Sequence, residues 1–243
     1  MKKFFVSPDK IADNKVIIEG SDYNHIINVF RLKMNDKLLI NDRHGNEFTC
    51  IITSVEKLSL VATIEDKFIL STEPKTKVTL FQSLIKPEKM EFVLQKSVEL
   101  GVYQIIPLIT ERCVIKLDSS KMENKVNRWK KIIEAAAKQS GRNLIPEIKL
   151  PVKFNKIIDY VNETDLNIIP YEKETQVSLK TILRKNIETN INVVIGPEGG
   201  FTEEEINQVK INNFNCATLG KRILRSETAA LTVISNIMYE LNE

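Results

Sequence analysis

The chain has 243 residues, 42% of them hydrophobic and 28% charged, with a formal net charge of +3 at pH 7. It exceeds one average domain and can fill a real core, so one large or two unequal domains are expected. No apolar run approaches the ~18 residues of a membrane-spanning helix, so no membrane partner is expected. Three scattered cysteines (Cys50, Cys113, Cys216) and two histidines (His25, His44) offer neither a disulfide framework nor a multi-histidine metal site. Met1-Lys2-Lys3-Phe4-Phe5-Val6 is basic and then apolar, but Ser7-Pro8-Asp9-Lys10 ends it before a signal-peptide core develops. Few cysteines and no such core predict a cytoplasmic protein.

Residues 1 to about 70 read as mostly β. Val16–Glu19 is a short strand and Ser21-Asp22 starts a brief helix through Phe30. Lys37–Asn41 and Glu47–Val55 flank the turn Asp42-Arg43-His44-Gly45-Asn46, a hairpin signal, and Leu58–Ile64 adds a further strand. The reading is a small barrel-like module with Ser71-Thr72-Glu73-Pro74-Lys75 as its linker. Its ten basic and ten acidic residues cancel, so contact with a polyanion would need a local patch such as Arg31 and Lys33.

Beyond residue 77 strands and helices alternate, the mark of a parallel α/β sheet. Strands are expected at Val78–Ile85, Gln104–Ile109, Leu166–Ile169, Asn192–Ile195 and Ala217–Leu219. Helices are expected at Lys89–Leu100, Asn124–Ser140, Leu179–Lys185, Glu203–Asn212 and Glu227–Leu241. From Arg112 to Lys153 there are 11 Lys/Arg against four acids, a basic excess that suits phosphates or a solvated helix face.

The most informative stretch is Ile191–Glu205. A β-branched run stops at Gly196-Pro197-Glu198-Gly199-Gly200, and Thr202 with Glu205 forms a capping-box signature for the next helix. Strand, glycine loop and helix start together expose backbone N–H groups to a small polar ligand. A second such loop, Leu219-Gly220-Lys221-Arg222-Ile223-Leu224-Arg225-Ser226, follows soon after. Neither loop has the Gly-Lys-Ser/Thr of a nucleoside-triphosphate site, no Gly-x-Gly-x-x-Gly follows the first strand, and no serine sits in a nucleophile elbow. A ligand gripped mainly by backbone remains, with Glu198, Arg222, Arg225 and Glu227 for polar company.

Four collinear blocks resemble the 16S ribosomal RNA (uracil-N3)-methyltransferase family of the SPOUT superfamily. They are Glu19–Arg31; Gln95–Val102 with Thr110-Glu111-Arg112; Arg128-Trp129 with Glu134–Arg142; and the two glycine loops. Departures are Asn24-His25 where the family often has paired histidines, Asn35 where glycine is common, and Ser226 for threonine.

The resemblance implies an α/β protein in two parts. Residues 1–71 would form a small β-barrel, PUA-like RNA-binding domain, and residues 72–243 a SPOUT methyltransferase domain with a deep trefoil knot. It implies S-adenosylmethionine at Ile195, Gly196, Gly199, Gly200, Leu219, Gly220, Ile223 and Leu224, a homodimer, and small-subunit ribosomal RNA or the assembled subunit as partner. RNA contacts are expected from Arg31, Lys33, Lys138, Arg222 and Arg225. Arg142 and Glu198 are the catalytic candidates. Arginine stays protonated, so Arg142 would stabilise charge on a uracil oxygen. Glu198 would serve as base if burial strengthened it, and otherwise would orient the nucleotide. The same chemistry on another nucleotide, and a non-catalytic RNA-binding role, stay open.

Overall fold

A computed structural model describes residues 2–68, 72–114, 119–185 and 190–241. The start of the expected linker, Ser71, lies outside them. The chain forms two compact units, one of Met1–Glu73 with Ala137–Ile145, the other of Pro74–Ala136 with Pro146–Glu243.

The first unit is built on six strands: β1 (Lys3–Phe5), β2 (Ile11–Ala12), β3 (Lys15–Glu19), β4 (Lys37–Asn41), β5 (Glu47–Val55) and β6 (Ser59–Phe68), in the order β1-β4-β5-β6-β3-β2. The period of two sets their inner face. Val16 and Ile18 of β3 point inward, as do Leu38 and Ile40 of β4, while Lys15, Ile17 and Glu19 are exposed. Ile26, Cys50, Ile52 and Leu60 complete this core. Among the described residues the sheet has two ends, β1 and β2. The expected hairpin turn is present. Asp42 accepts N–H bonds from His44 (2.8 Å) and Asn46 (3.0 Å), and Arg43 (φ 67°) and Gly45 (φ 99°) take left-handed backbone.

The expected brief helix divides into α1 (Gly20–Asn24) and a π-helical turn over His25–Val29, where Phe30 N–H reaches the carbonyl of His25 at 2.9 Å. Asn35 adopts φ 72°, the left-handed turn for which asparagine can replace glycine.

The second unit is a seven-stranded parallel sheet. Its strands are β7 (Lys77–Ser83), β8 (Gln104–Ile109), β9 (Glu147–Ile148), β10 (Val152–Lys153), β11 (Leu166–Pro170), β12 (Asn190–Ile195) and β13 (Asn215–Ala217). The order is β10-β8-β7-β12-β11-β13, with β9 also paired to β8. Ile191–Ile195 are buried without alternation, as expected of a strand covered on both faces.

The helices are α2 (Pro87–Glu99), α3 (Ser119–Ser140), α4 (Leu179–Lys185), α5 (Glu203–Ile211) and α6 (Ser226–Glu240). Helices α2 and α6 pack on each other, and α6 also lies on β7 and β12. Helix α5 and a 3-10 segment at Phe154–Tyr160 pack together, and Ile206, Val209, Phe154 and Ile157 join Phe81, Ile106, Ile169 and Val194 of the sheet in a single core. The sequence reading missed β1, β2, β9, β10 and the 3-10 segment, each too short to show a period. It also placed β13 two residues late, so Thr218 and Leu219 lie in the loop.

Candidate active site

Strand order reverses between β7 and β12. From β7 the chain builds outward through β8 and β10, and the later strands fill the other side. In open parallel sheets ligands bind outside the carboxyl ends of strands near such a switch. A cavity of about 330 Å³ opens there, lined by Pro170 and Tyr171 after β11, Ile195–Phe201 at the end of β12, and Ala217–Leu224 after β13. That is the lower end of the ~300–1,000 Å³ range of small-molecule sites.

The first loop is a tight turn in which Gly200 N–H donates to the carbonyl of Pro197 at 3.0 Å, with Gly200 at φ 68°. Its other glycines are needed for protein packing. A Cβ on Gly196 would stand 2.9 Å from the Phe201 ring, and one on Gly199 would stand 3.2 Å from the Cβ of Arg112. The Arg112 guanidinium donates to the Gly199 carbonyl at 3.0 Å. Gly220 differs: at φ 111° its missing Cβ faces nothing within 4 Å, and it lines the cavity. Its N–H donates to the Thr218 hydroxyl at 3.2 Å, which holds the second loop's bend.

The expected capping box closes the loop. Thr202 Oγ1 accepts from Glu205 N–H at 3.2 Å, and Glu205 Oε2 accepts from Thr202 N–H at 2.9 Å. The N-cap position of α6 belongs to Arg225, which makes no side-chain capping bond. Buried Ser226 donates to the Gly196 carbonyl at 2.6 Å and accepts from Gln82 Nε2 at 3.0 Å, tying the start of α6 to the glycine loop.

The sequence profile of an RNA methyltransferase domain matches residues 72–238, and that of an RNA methyltransferase PUA domain matches residues 18–65. The chain is 35% identical to ribosomal RNA small subunit methyltransferase E of Mesomycoplasma hyopneumoniae, over 97% of this chain and 98% of that protein. The Bacillus subtilis protein of the same name is 32% identical over 92% and 89%. The chain belongs to the ribosomal RNA small subunit methyltransferase E family. A family member from Neisseria gonorrhoeae, solved with S-adenosyl methionine bound, is 32% identical with a TM-score of 0.88 over 99% of this chain and 98% of that one. A protein from Legionella pneumophila solved with the same cofactor is 33% identical, with a TM-score of 0.84 over 98% and 97%.

Within this family member, all eight positions expected to hold the cofactor line one cavity: Ile195, Gly196, Gly199, Gly200, Leu219, Gly220, Ile223 and Leu224. Glu198 and Arg222 line it as well. Arg225 sits at the N-cap of α6, exposed and outside the lining. Glu198 is exposed and paired with Lys89 at 3.3 Å.

Arg142 does not line the cavity. It belongs to the first unit, its side chain is only 5% exposed, and its guanidinium holds Glu73, with Nε 3.1 Å from Oε2. Glu73 also accepts N–H bonds from Asn143 (2.9 Å) and Leu144 (3.1 Å). The resemblance placed Arg142 within residues 72–243, whereas Ala137–Ile145 packs with the first unit. Arg31 and Lys33 are exposed in the first unit, and Lys138 pairs there with Asp22 at 3.4 Å.

Sequence reasoning missed Lys89, Glu172, Gln82 and Phe201. Only Phe201, which follows the glycines directly, carried a local signal. The exposed Glu172 lines the cavity with its carboxylate against Gly200. Cys216 and Cys50 are buried, which pushes both thiols up, Cys50 to about 12.

Proposed function

We propose that this protein transfers a methyl group from S-adenosylmethionine to N3 of a uridine in small-subunit (16S) ribosomal RNA. The observation that carries the reading is the cavity at the switch point, which gathers both glycine loops of a chain belonging to this family. The residues present fit that cofactor. Gly220 leaves its Cβ side open, Ile195, Leu219, Ile223 and Leu224 supply apolar contact, and the loops present main-chain polar groups. When bound, the cofactor supplies an electrophilic methyl group.

The chain's own residues position and polarise the acceptor. Neutral N3 of uracil is a poor nucleophile because its lone pair is delocalised into two carbonyls. Removing its proton leaves negative charge on those oxygens, and an exposed cation at the cavity suits that charge. Arg222 meets this description and has no hydrogen-bond or ion-pair partner among the described residues. Glu198 stands at the same rim and receives or orients the N3 proton. Holding the base in line with the methyl supplies several kcal/mol of the acceleration. Arg142, already satisfied by Glu73, acts by ordering the first unit rather than on the nucleotide.

The first unit, with Arg31 and Lys33 exposed, presents RNA, and the second unit carries the transfer. This unit carries the trefoil knot that the resemblance implies, with α6 following the edge strand β13 and packing on β7 and β12 in mid-sheet. A homodimer accounts for Ile223, which lines the cavity yet is 85% exposed in one protomer. The test is mass spectrometry of digested ribosomal RNA from a strain lacking this protein. Loss of N3-methyluridine from the small subunit, restored by the wild-type gene, is expected. Full retention of that nucleoside overturns the reading.

A further inference from the structure

Lys89, in the first turn of α2, stands between two carboxylates. Its ammonium is 3.3 Å from Glu198 Oε1 and 3.4 Å from Glu227 Oε1. These come from three separate elements: α2, the glycine loop after β12, and the first turn of α6. Burial grades across the three side chains. Glu227 is 14% exposed, Lys89 23% and Glu198 32%. One oxygen of Glu227, Oε2, is buried with no hydrogen-bond partner among the described residues, and Lys89 faces the other oxygen of this carboxylate.

We propose that Lys89 is a positioning residue for methyl transfer. Glu227 anchors its ammonium, and the ammonium in turn holds Glu198 at the rim of the cofactor cavity. The inference rests on the reading of that cavity as a methyltransferase site.

The physical argument is one of stiffness and charge. Glu198 lies in the turn Pro197-Glu198-Gly199-Gly200, whose backbone is tied by the Gly200 N–H bond to Pro197 and by Arg112 on the Gly199 carbonyl, but those ties do not reach the Glu198 side chain. A carboxylate on such a loop, one-third exposed, samples many rotamers unless something fixes it. Lys89 does so from a helix, and a helix places a side chain more reproducibly than a loop. Glu227 at the N-terminal turn of α6 is favoured there by the helix dipole, so the anchor end is stable without Glu198. Without the ammonium, two like charges would face each other across the mouth of the site and drive Glu198 away.

Two measurements test this. The first does not depend on activity. A carbodiimide joins an amine to a carboxylate with loss of water and adds no spacer, so it links only groups in contact. Peptide mapping of the treated full-length protein is expected to show Lys89 joined to Glu198 and to Glu227, with the Glu198 link absent in Glu198→Gln. Linkage of Lys89 to Glu227 alone overturns the proposal even if the protein is a methyltransferase.

The second measurement is kinetic, on small-subunit ribosomal RNA. Lys89→Met is expected to lower kcat about tenfold while the calorimetric Kd for S-adenosylmethionine stays within about twofold, and Lys89→Arg to restore most of kcat. Wild-type kcat in Lys89→Met overturns the positioning role. So does a parallel loss of cofactor affinity and melting temperature that Lys89→Arg fails to rescue. If wild-type protein itself transfers no methyl to this RNA while the cross-links form, the functional reading fails and the contact stands.

Discussion

The Ser226 hydroxyl donates to the carbonyl oxygen of Gly196 at 2.6 Å, joining the first residue of α6 to the first residue of the glycine loop. The Ser226 hydroxyl oxygen in turn accepts from Gln82 Nε2 at the end of β7, so three elements meet on one buried hydroxyl. A site built mainly from backbone needs such ties, because few of its side chains can fix the loop's position. Ser226→Ala removes the donor and strands buried polar groups, at a cost of about 1–3 kcal/mol. The expected result is a lower denaturant midpoint together with weaker S-adenosylmethionine binding by calorimetry. Ser226→Thr keeps the hydroxyl and is expected to bind the cofactor within about threefold of wild type. A Ser226→Ala protein with both properties unchanged would show the tie to be dispensable.

Gly196 and Gly220 separate two uses of glycine. At Gly196 an added methyl meets the Phe201 ring at 2.9 Å, so Gly196→Ala overpacks the loop and should cost about 1–3 kcal/mol of stability. Phe201→Leu in the same chain should recover part of that loss. At Gly220 an added Cβ meets no atom of the described residues within 4 Å, but a side chain there needs φ near 111° and borders the cavity. Gly220→Val should therefore weaken cofactor binding at least tenfold with a smaller effect on melting temperature. Equal affinity in folded Gly220→Val would remove Gly220 from the binding surface.

These two glycines also show how far the sequence was legible. The loop, the capping box and the strand before it were readable because each is local: a β-branched run, two glycines, and threonine three residues before glutamate. The partners of the glycines were not. Phe201 was next in sequence, but Arg112 reaches Gly199 from a loop 87 residues away, and Lys89 reaches Glu198 across 109. Such contacts depend on strand order, which periodicity does not encode. The same limit explains Arg142. A helix that runs unbroken gives no sign of where along its length packing changes from one unit to another.

Burial holds the Cys50 thiol up at about 12, against 9.0 for the free group, so the folded protein keeps a proton that the unfolded chain releases. Stability from this source is complete below about pH 9 and is lost as pH rises toward 12. Denaturant midpoints of wild type are expected to fall more steeply between pH 8 and pH 10.5 than those of Cys50→Ala. In the folded state at pH 8, iodoacetamide should leave Cys50 unmodified. Rapid alkylation of native protein at Cys50 would contradict its burial.

Arg142 and Glu73 give the sharpest choice between a structural and a chemical role. The guanidinium is 5% exposed and the carboxylate 19%, and Glu73 also gathers the N–H groups of Asn143 and Leu144. Removing one partner of a buried pair costs about 3–5 kcal/mol because the other charge is left uncompensated. Arg142→Ala should therefore lower the melting temperature and, by loosening the segment Ala137–Ile145, reduce methylation while the cofactor Kd is unchanged. Glu73→Gln separates the readings. It keeps an acceptor for the backbone N–H groups but removes the charge, freeing the guanidinium. If Arg142 orders the first unit, Glu73→Gln and Arg142→Ala both lose stability, and RNA affinity falls in step. If Arg142 acts on the nucleotide, Arg142→Ala loses turnover at near wild-type stability, and Glu73→Gln leaves turnover intact. The buried geometry favours the first outcome, and the second would return Arg142 to the catalytic role the resemblance implied.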